Sequence, residues 1–137
     1  MQRPIDHQTA LIFTMVLVSA AEGEMTDAEL NTIGRQVRYA PIFREFDHDR
    51  LPEVGRACAE LLRREDGLDV AFDMIAETLS APLRETAYAL ACDVAAADGA
   101  LANEERTLLD LIRRRLNVDR LVAAAIERAA YARHAID

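Results

Sequence analysis

Hydrophobic positions recur along the chain at intervals of three and four residues, the spacing of helices that bury one face. No segment shows the strict alternation that predicts a strand. We therefore expect an all-α protein, a single-domain bundle of about seven helices. Helix one spans about residues 6–21, helix two follows Thr26 and stops before Pro41, and residues 40–48 form a loop.

Residues that commonly begin or end helices mark the later boundaries. Gly67 and Gly99 each follow an aspartate beyond the last apolar position of a helical pattern, and Asn117 follows another such pattern. Ser80 is predicted to cap helix five, with Pro82 in its first turn, where a missing N–H costs least. Gly67, Gly99 and Asn117 are thus predicted to end helices three, five and six. Ser80 is predicted to begin helix five.

One short pattern occurs twice, 76 positions apart, while most of the residues around it differ. Each copy has an acid, then a glycine, and a glutamate seven residues after the acid. These residues are Glu22, Gly23 and Glu29 in the first copy and Asp98, Gly99 and Glu105 in the second. The pattern predicts an internally duplicated helix-turn-helix unit, at about residues 6–38 and 81–116, within one domain over residues 1–137.

Part of the repeated turn is explained by helix ends alone. Glycine adopts the left-handed conformation that terminates helices, and Thr26 with Glu29 fits a capping box. The position equivalent to Thr26 is Ala102, which has no side chain for a cap. We expect Asn103 to cap instead, which makes Glu105 the second residue of its helix.

The acids of the repeat also suggest a cation site. Glu22 and Asp98 lie at helix C-termini, where the dipole disfavours negative charge. Residues 22–29 and 93–105 each hold four acids and no basic residue, so the carboxylates repel one another unless a cation or hydrogen bonds intervene. Ca²⁺ or Mg²⁺ is the natural partner for such oxygen ligands, and it would be the expected cofactor.

An EF-hand is excluded by the residues at the first ligand positions. If each glycine takes loop position six, positions one and three hold Val18 and Ala20 in one copy and Val94 and Ala96 in the other. None of these side chains carries an oxygen. A bound metal would have to be shared between turns or hold several waters.

Asp93 is a further candidate ligand, because it lies on an otherwise apolar helix where its repeat partner is Leu17. An acid in a core position needs a partner. The sequence does not distinguish between an arginine and a metal ion as that partner.

Composition narrows the classes of partner. The net charge is −8, and all 16 basic residues are arginine, with no basic stripe that would attract nucleic acid. Other proteins are the expected partners. Cys58 and Cys92 lie in apolar helical contexts without a CxxC pattern, which indicates buried thiols in a reducing compartment.

Other clusters have simpler interpretations. Asp47-His48-Asp49 is expected to cap or charge-stabilise the start of helix three, and Arg113-Arg114-Arg115 to complement the dipole of helix six. No phosphate loop, nucleophile elbow or HExxH motif is present, so we do not expect an enzyme.

The repeated acid-glycine turns resemble those of the TerB-like tellurite-resistance family and of the related N-terminal domain of a membrane-anchored DnaJ-like co-chaperone. Ala97-Asp98-Gly99 with Glu105 matches the family pattern, and Ala21-Glu22-Gly23 with Glu29 matches with Glu in place of Asp. The resemblance implies a non-enzymatic, cytoplasmic, all-helical domain in stress response or tellurite resistance. It also implies metal binding by these acids. The alternative is an acidic protein-interaction module without metal.

The N-terminal apolar run, residues 10–21, is too short to span a membrane, and it forms half of a repeat unit. We therefore expect a cytoplasmic protein with no inserted segment, while peripheral membrane association and the oligomeric state stay open.

Overall fold

A computed structural model describes residues 5–20, 26–97 and 103–135. Within these ranges the chain is all-helical and has no strand, which confirms the expected fold class. The described residues form seven α-helices. Their bounds are α1 His7–Ala20, α2 Asp27–Tyr39, α3 Leu51–Leu62, α4 Gly67–Thr78, α5 Ala81–Ala96, α6 Asn103–Arg115 and α7 Arg120–His134.

The first helix lies at the centre of the bundle. It is apolar on all sides, and each residue from Ala10 to Ser19 is buried. A helix without a polar face is stable in a water-soluble fold only when neighbours surround it. Accordingly α1 contacts α2, α3, α4, α5 and α6.

The fifth helix is the second central element. It packs along α1 on one side and α7 on the other, and it also contacts α2 and α6. Its buried residues include a run of small side chains, such as Ala87, Ala91 and Ala95, which allow close approach of the neighbouring helices. Together α1 and α5 form the axis around which the other helices are arranged.

The connection between α2 and α3 is more ordered than the predicted loop at residues 40–48. It contains two short 3₁₀ helices, Pro41–Phe43 and His48–Arg50. Phe43 and Phe46 are buried, and Nε2 of Gln8 donates to the carbonyl of Ile42 at 3.0 Å. These contacts fix the connection against α1.

The boundary between α3 and α4 differs from the predicted one. Gly67 does not end helix three; it is the first residue of α4, and α3 ends at Leu62. A Cβ atom added to Gly67 would lie 2.0 Å from the carbonyl oxygen of Leu61. The glycine is therefore required by the close approach of two backbones.

The remaining helix ends follow elementary capping rules. Asn117 ends α6 with a left-handed φ of 55°, and Oδ2 of Asp119 accepts from the backbone N–H groups of Leu121 and Val122 at the start of α7. Ser80 holds the N-cap position of α5, with Pro82 in the first turn, but its side chain makes no capping hydrogen bond. The predicted position of Ser80 is confirmed, and its predicted capping bond is not found.

Arg84 joins the ends of three helices. From the first turn of α5, its guanidinium donates to the carbonyls of Ala76 and Leu79 at the end of α4 and to that of Leu116 after α6. Carbonyls at a helix C-terminus have no partner within their own helix. One planar side chain thus satisfies acceptors from two helices.

The helix bounds agree with the predicted repeat. Adding 76 to the bounds of α2 gives those of α6, and α1 and α5 end at the equivalent residues Ala20 and Ala96. The duplication itself stays a prediction. None of the helices that the structure describes has both the length and the apolar composition needed to span a membrane.

Candidate functional site

The glutamate of the first repeat, Glu29, lies in the first turn of α2 with only 1% of its surface exposed. The predicted capping box is confirmed: Thr26 N donates to Oε1 of Glu29 at 3.0 Å, and Glu29 N donates to Oγ1 of Thr26 at 3.1 Å. The box uses Oε1 alone. The second oxygen, Oε2, is buried and has no hydrogen-bond partner among the residues that the structure describes.

The glutamate of the second repeat, Glu105, occupies the matching place in α6. It too is 1% exposed. Because α6 begins at Asn103, Glu105 is the third residue of its helix, as Glu29 is in α2. The expectation that Asn103 caps the helix and leaves Glu105 in second place is therefore wrong, since Asn103 is already helical.

Asp93 has the arginine partner that the sequence left open. It is buried on α5, and its Oδ1 accepts from Nη2 of Arg133 at 2.7 Å. Its Oδ2 accepts from Nε2 of Gln36 at 2.9 Å, and Nε2 of His134 lies 3.5 Å from Oδ1. The carboxylate thus holds together α2, α5 and the last turn of α7.

Glu22 and Asp98, the two acids that precede the glycines, lie outside the described residues. Within residues 5–20, 26–97 and 103–135, no three Asp, Glu, His or Cys side chains come close enough together to hold a metal ion. The structure therefore places Glu29 and Glu105 at equivalent buried helix starts, and it joins Asp93 to a different set of partners.

A second polar cluster, between α5 and α7, was not predicted from the sequence. The hydroxyl of Tyr88 donates to Oε2 of Glu127 at 2.8 Å. Burial raises the pKa of Tyr88, and burial together with the Glu127 carboxylate raises the pKa of Cys92 to about 12. The only sequence signal was the placement of a tyrosine and a glutamate on otherwise apolar helix faces.

The two cysteine thiols are weaker acids in the folded protein than in water. Cys58 and Cys92 are both buried and free. Burial raises the pKa of Cys58 to about 12, so both side chains stay protonated at neutral pH. This confirms the expected burial and gives neither residue a nucleophilic role.

The Asp47-His48-Asp49 cluster is explained by local structure. Oδ1 of Asp47 accepts from the backbone N–H of Asp49 at 3.0 Å, which caps the 3₁₀ helix that leads directly into α3. The predicted capping role is confirmed, one turn earlier than the start of α3 itself.

Comparison with models of protein families identifies a match over most of the chain. A family model described as "Tellurite resistance protein TerB" matches residues 8–128. No curated protein and no solved structure matches the chain.

Proposed function

Because this chain belongs to the TerB family, whose model covers residues 8–128, we propose that it is a non-enzymatic stress-response or tellurite-resistance domain that binds a divalent cation. The proposed ligands are the acids of the two repeated turns. They are Glu22, Glu29, Asp98 and Glu105.

The observation that carries the cation proposal is the second carboxylate oxygen of Glu29. A buried carboxylate oxygen without a hydrogen bond is costly, because the charge has lost water and gained no partner. Capping needs Oε1 only, so Oε2 of Glu29 is available to a ligand. A cation at this position would offset the burial of the charge.

Glu105 supports a second, equivalent ligand position. It is the third residue of α6 and as fully buried as Glu29. Carboxylate oxygens are hard ligands, and they favour Ca²⁺ or Mg²⁺ over softer metals. When bound, the cation would supply positive charge that neutralises the acids of the turns. Asp93 is left out of the proposed set because both of its oxygens already accept hydrogen bonds.

The test is calorimetric titration of metal-stripped protein with Ca²⁺, Mg²⁺, Mn²⁺ and Zn²⁺. A double variant, Asp98→Ala with Glu105→Ala, is measured beside the unchanged protein. Saturable binding that the variant loses would support a metal site at these turns. No binding by the unchanged protein would remove the cation from the proposal and leave the acids as helix-end architecture.

An interaction module without metal is the second candidate. It is favoured by the charge of −8 and by two large side chains on α2, Leu30 and Tyr39, which are 57% and 73% exposed. In this case the protein contacts the basic surface of another protein, in the cytoplasm. Pull-downs at low and high salt, with a Tyr39→Ser variant, test it. Failure to recover any partner specific to the unchanged protein would count against this candidate.

A further inference from the structure

A cavity of about 210 Å³ lies between α5, α6 and α7. The α6 wall consists of Arg106, Leu109, Asp110 and Arg113, and Tyr131 lies on the α7 wall. Arg106 and Arg113 are seven residues apart, so they lie on the same face of α6, about 10 Å apart along its axis. The cavity is therefore lined by two arginines from one face of α6.

The side chain of Arg113 is largely buried, but its ion pair is weak. Its side chain is 17% exposed, and its hydrogen bond to a described side chain is a long one of 3.4 Å to Oδ1 of Asp110. Asp110 is itself 54% exposed, and its other oxygen lies closer, at 3.1 Å, to Arg114. A largely buried cation with a weak partner favours a second anion.

The other acid at the cavity is Glu127, and one of its two carboxylate oxygens is already hydrogen-bonded. Glu127 accepts the hydroxyl hydrogen of Tyr88 at 2.8 Å, and this bond ties α7 to α5. The N–H groups left over in the cavity belong to the arginines, which are donors only. A ligand that fits must bring acceptors.

We propose that this cavity binds a small organic carboxylate or phosphate, whose oxyanion is held by Arg113 and Arg106. The planar fork of guanidinium donors matches both kinds of oxyanion in a bidentate manner. The volume corresponds to about seven water molecules at their share of the liquid, more than a bare oxyanion needs. The carbon body of the ligand packs against Leu109 and the ring of Tyr131, which is 40% exposed.

The residues that line this cavity differ from the proposed cation ligands, although Arg106 directly follows Glu105, and the test uses no metal. Metal-stripped protein is titrated by calorimetry with phenyl phosphate and with benzoate at fixed ionic strength, with inorganic phosphate for comparison. Two variants are compared, Arg113→Gln and Arg114→Gln. Each removes one positive charge and one partner of Asp110, but only Arg113 lines the cavity.

We expect saturable binding of phenyl phosphate or benzoate that weakens about tenfold or more in Arg113→Gln and less than twofold in Arg114→Gln. Arg106→Gln, at an exposed position, should weaken binding without disturbing the fold, and it replaces Arg113→Gln if that variant does not fold. No saturable binding of either organic anion, or equal weakening by the Arg114 variant, would overturn the proposal. Inorganic phosphate binding as tightly as phenyl phosphate would overturn the role given to Leu109 and Tyr131.

Discussion

Nη2 of Arg133 lies 2.7 Å from Oδ1 of Asp93, and this ion pair joins the last turn of α7 to the core of α5. Asp93 has 8% of its side chain exposed, whereas Arg133 has 54%. The pair is therefore buried at one end only. Losing the arginine leaves a carboxylate that is still buried and less well satisfied.

We expect Arg133→Ala to lower the free energy of unfolding by about 1–2 kcal/mol, because the Asp93 carboxylate loses its shortest hydrogen bond. Urea unfolding followed by circular dichroism measures the change. Arg128→Ala is the matched control, since Arg128 is an exposed arginine on the same helix. Equal effects of the two substitutions would show that the ion pair contributes nothing.

Glu29 allows its capping role to be separated from its proposed cation role. Glu29→Gln keeps an oxygen for the backbone N–H of Thr26, so in the presence of chelator its stability should change by less than about 0.5 kcal/mol. Glu29→Ala loses the cap and should cost about 1 kcal/mol. Denaturation with chelator and with Ca²⁺ or Mg²⁺ compares the three proteins.

If the cation proposal is correct, added Ca²⁺ or Mg²⁺ stabilises the unchanged protein but not Glu29→Gln. An equal response of both proteins to the cation would remove Glu29 from the ligand set, whatever its effect on capping.

Among the three glycines that the structure describes, Gly67 is the one whose replacement should lower the stability most. In Gly67→Ala the new methyl group would meet the Leu61 carbonyl, so the α3–α4 connection must shift, at a cost of about 2 kcal/mol or more. Gly55→Ala is the control, because no atom lies within 4 Å of its added Cβ inside α3. That substitution should stabilise the protein by about 0.5–1 kcal/mol. Thermal and urea unfolding of both variants check the opposite signs.

The buried thiols predict a loss of stability at alkaline pH. Burial raises the pKa of Cys58 and of Cys92 from 9.0 to about 12 in the folded protein, whereas unfolding restores the ordinary value. The stabilisation that comes from keeping these thiols protonated is therefore fully present below pH 9. It is lost as the pH rises toward 12. Over this range each thiol should lower the free energy of unfolding by about 1.4 kcal/mol per pH unit.

The check is urea unfolding in reducing buffer at pH 7, 9, 10 and 11, with Cys58→Ala as the comparison. The variant should lose stability less steeply between pH 9 and 11 than the unchanged protein. Parallel curves would contradict the assigned cause.

The parts of this molecule that depend on local sequence were predictable, and those that depend on distant contacts were not. Thr26 and Glu29 are three residues apart, so their capping box follows from the chain itself. Asp93 could be recognised as an acid in need of a partner, but Arg133 lies 40 residues further along the chain. Only the packing of α7 on α5 selects that arginine.

Gly67 and Arg113 show the same limit. A glycine after an aspartate is typical of a helix end, but the approach of the Leu61 carbonyl requires this one at a helix start. When α6 is considered alone, the helix dipole is enough to explain why an arginine lies at position 113. Its place at a cavity emerges only when α5 and α7 are packed around it.

The central position of α1 has a consequence for synthesis of the protein. The helix that α1 contacts most extensively is α5. It begins at Ala81, more than 70 residues after the start of α1 at His7. At roughly 5–20 residues per second on the ribosome, this helix waits about 4–15 s for the surface that covers it. During that interval the mostly apolar segment from Ala10 to Ser19 must be shielded by a chaperone or by provisional contacts with α2 to α4.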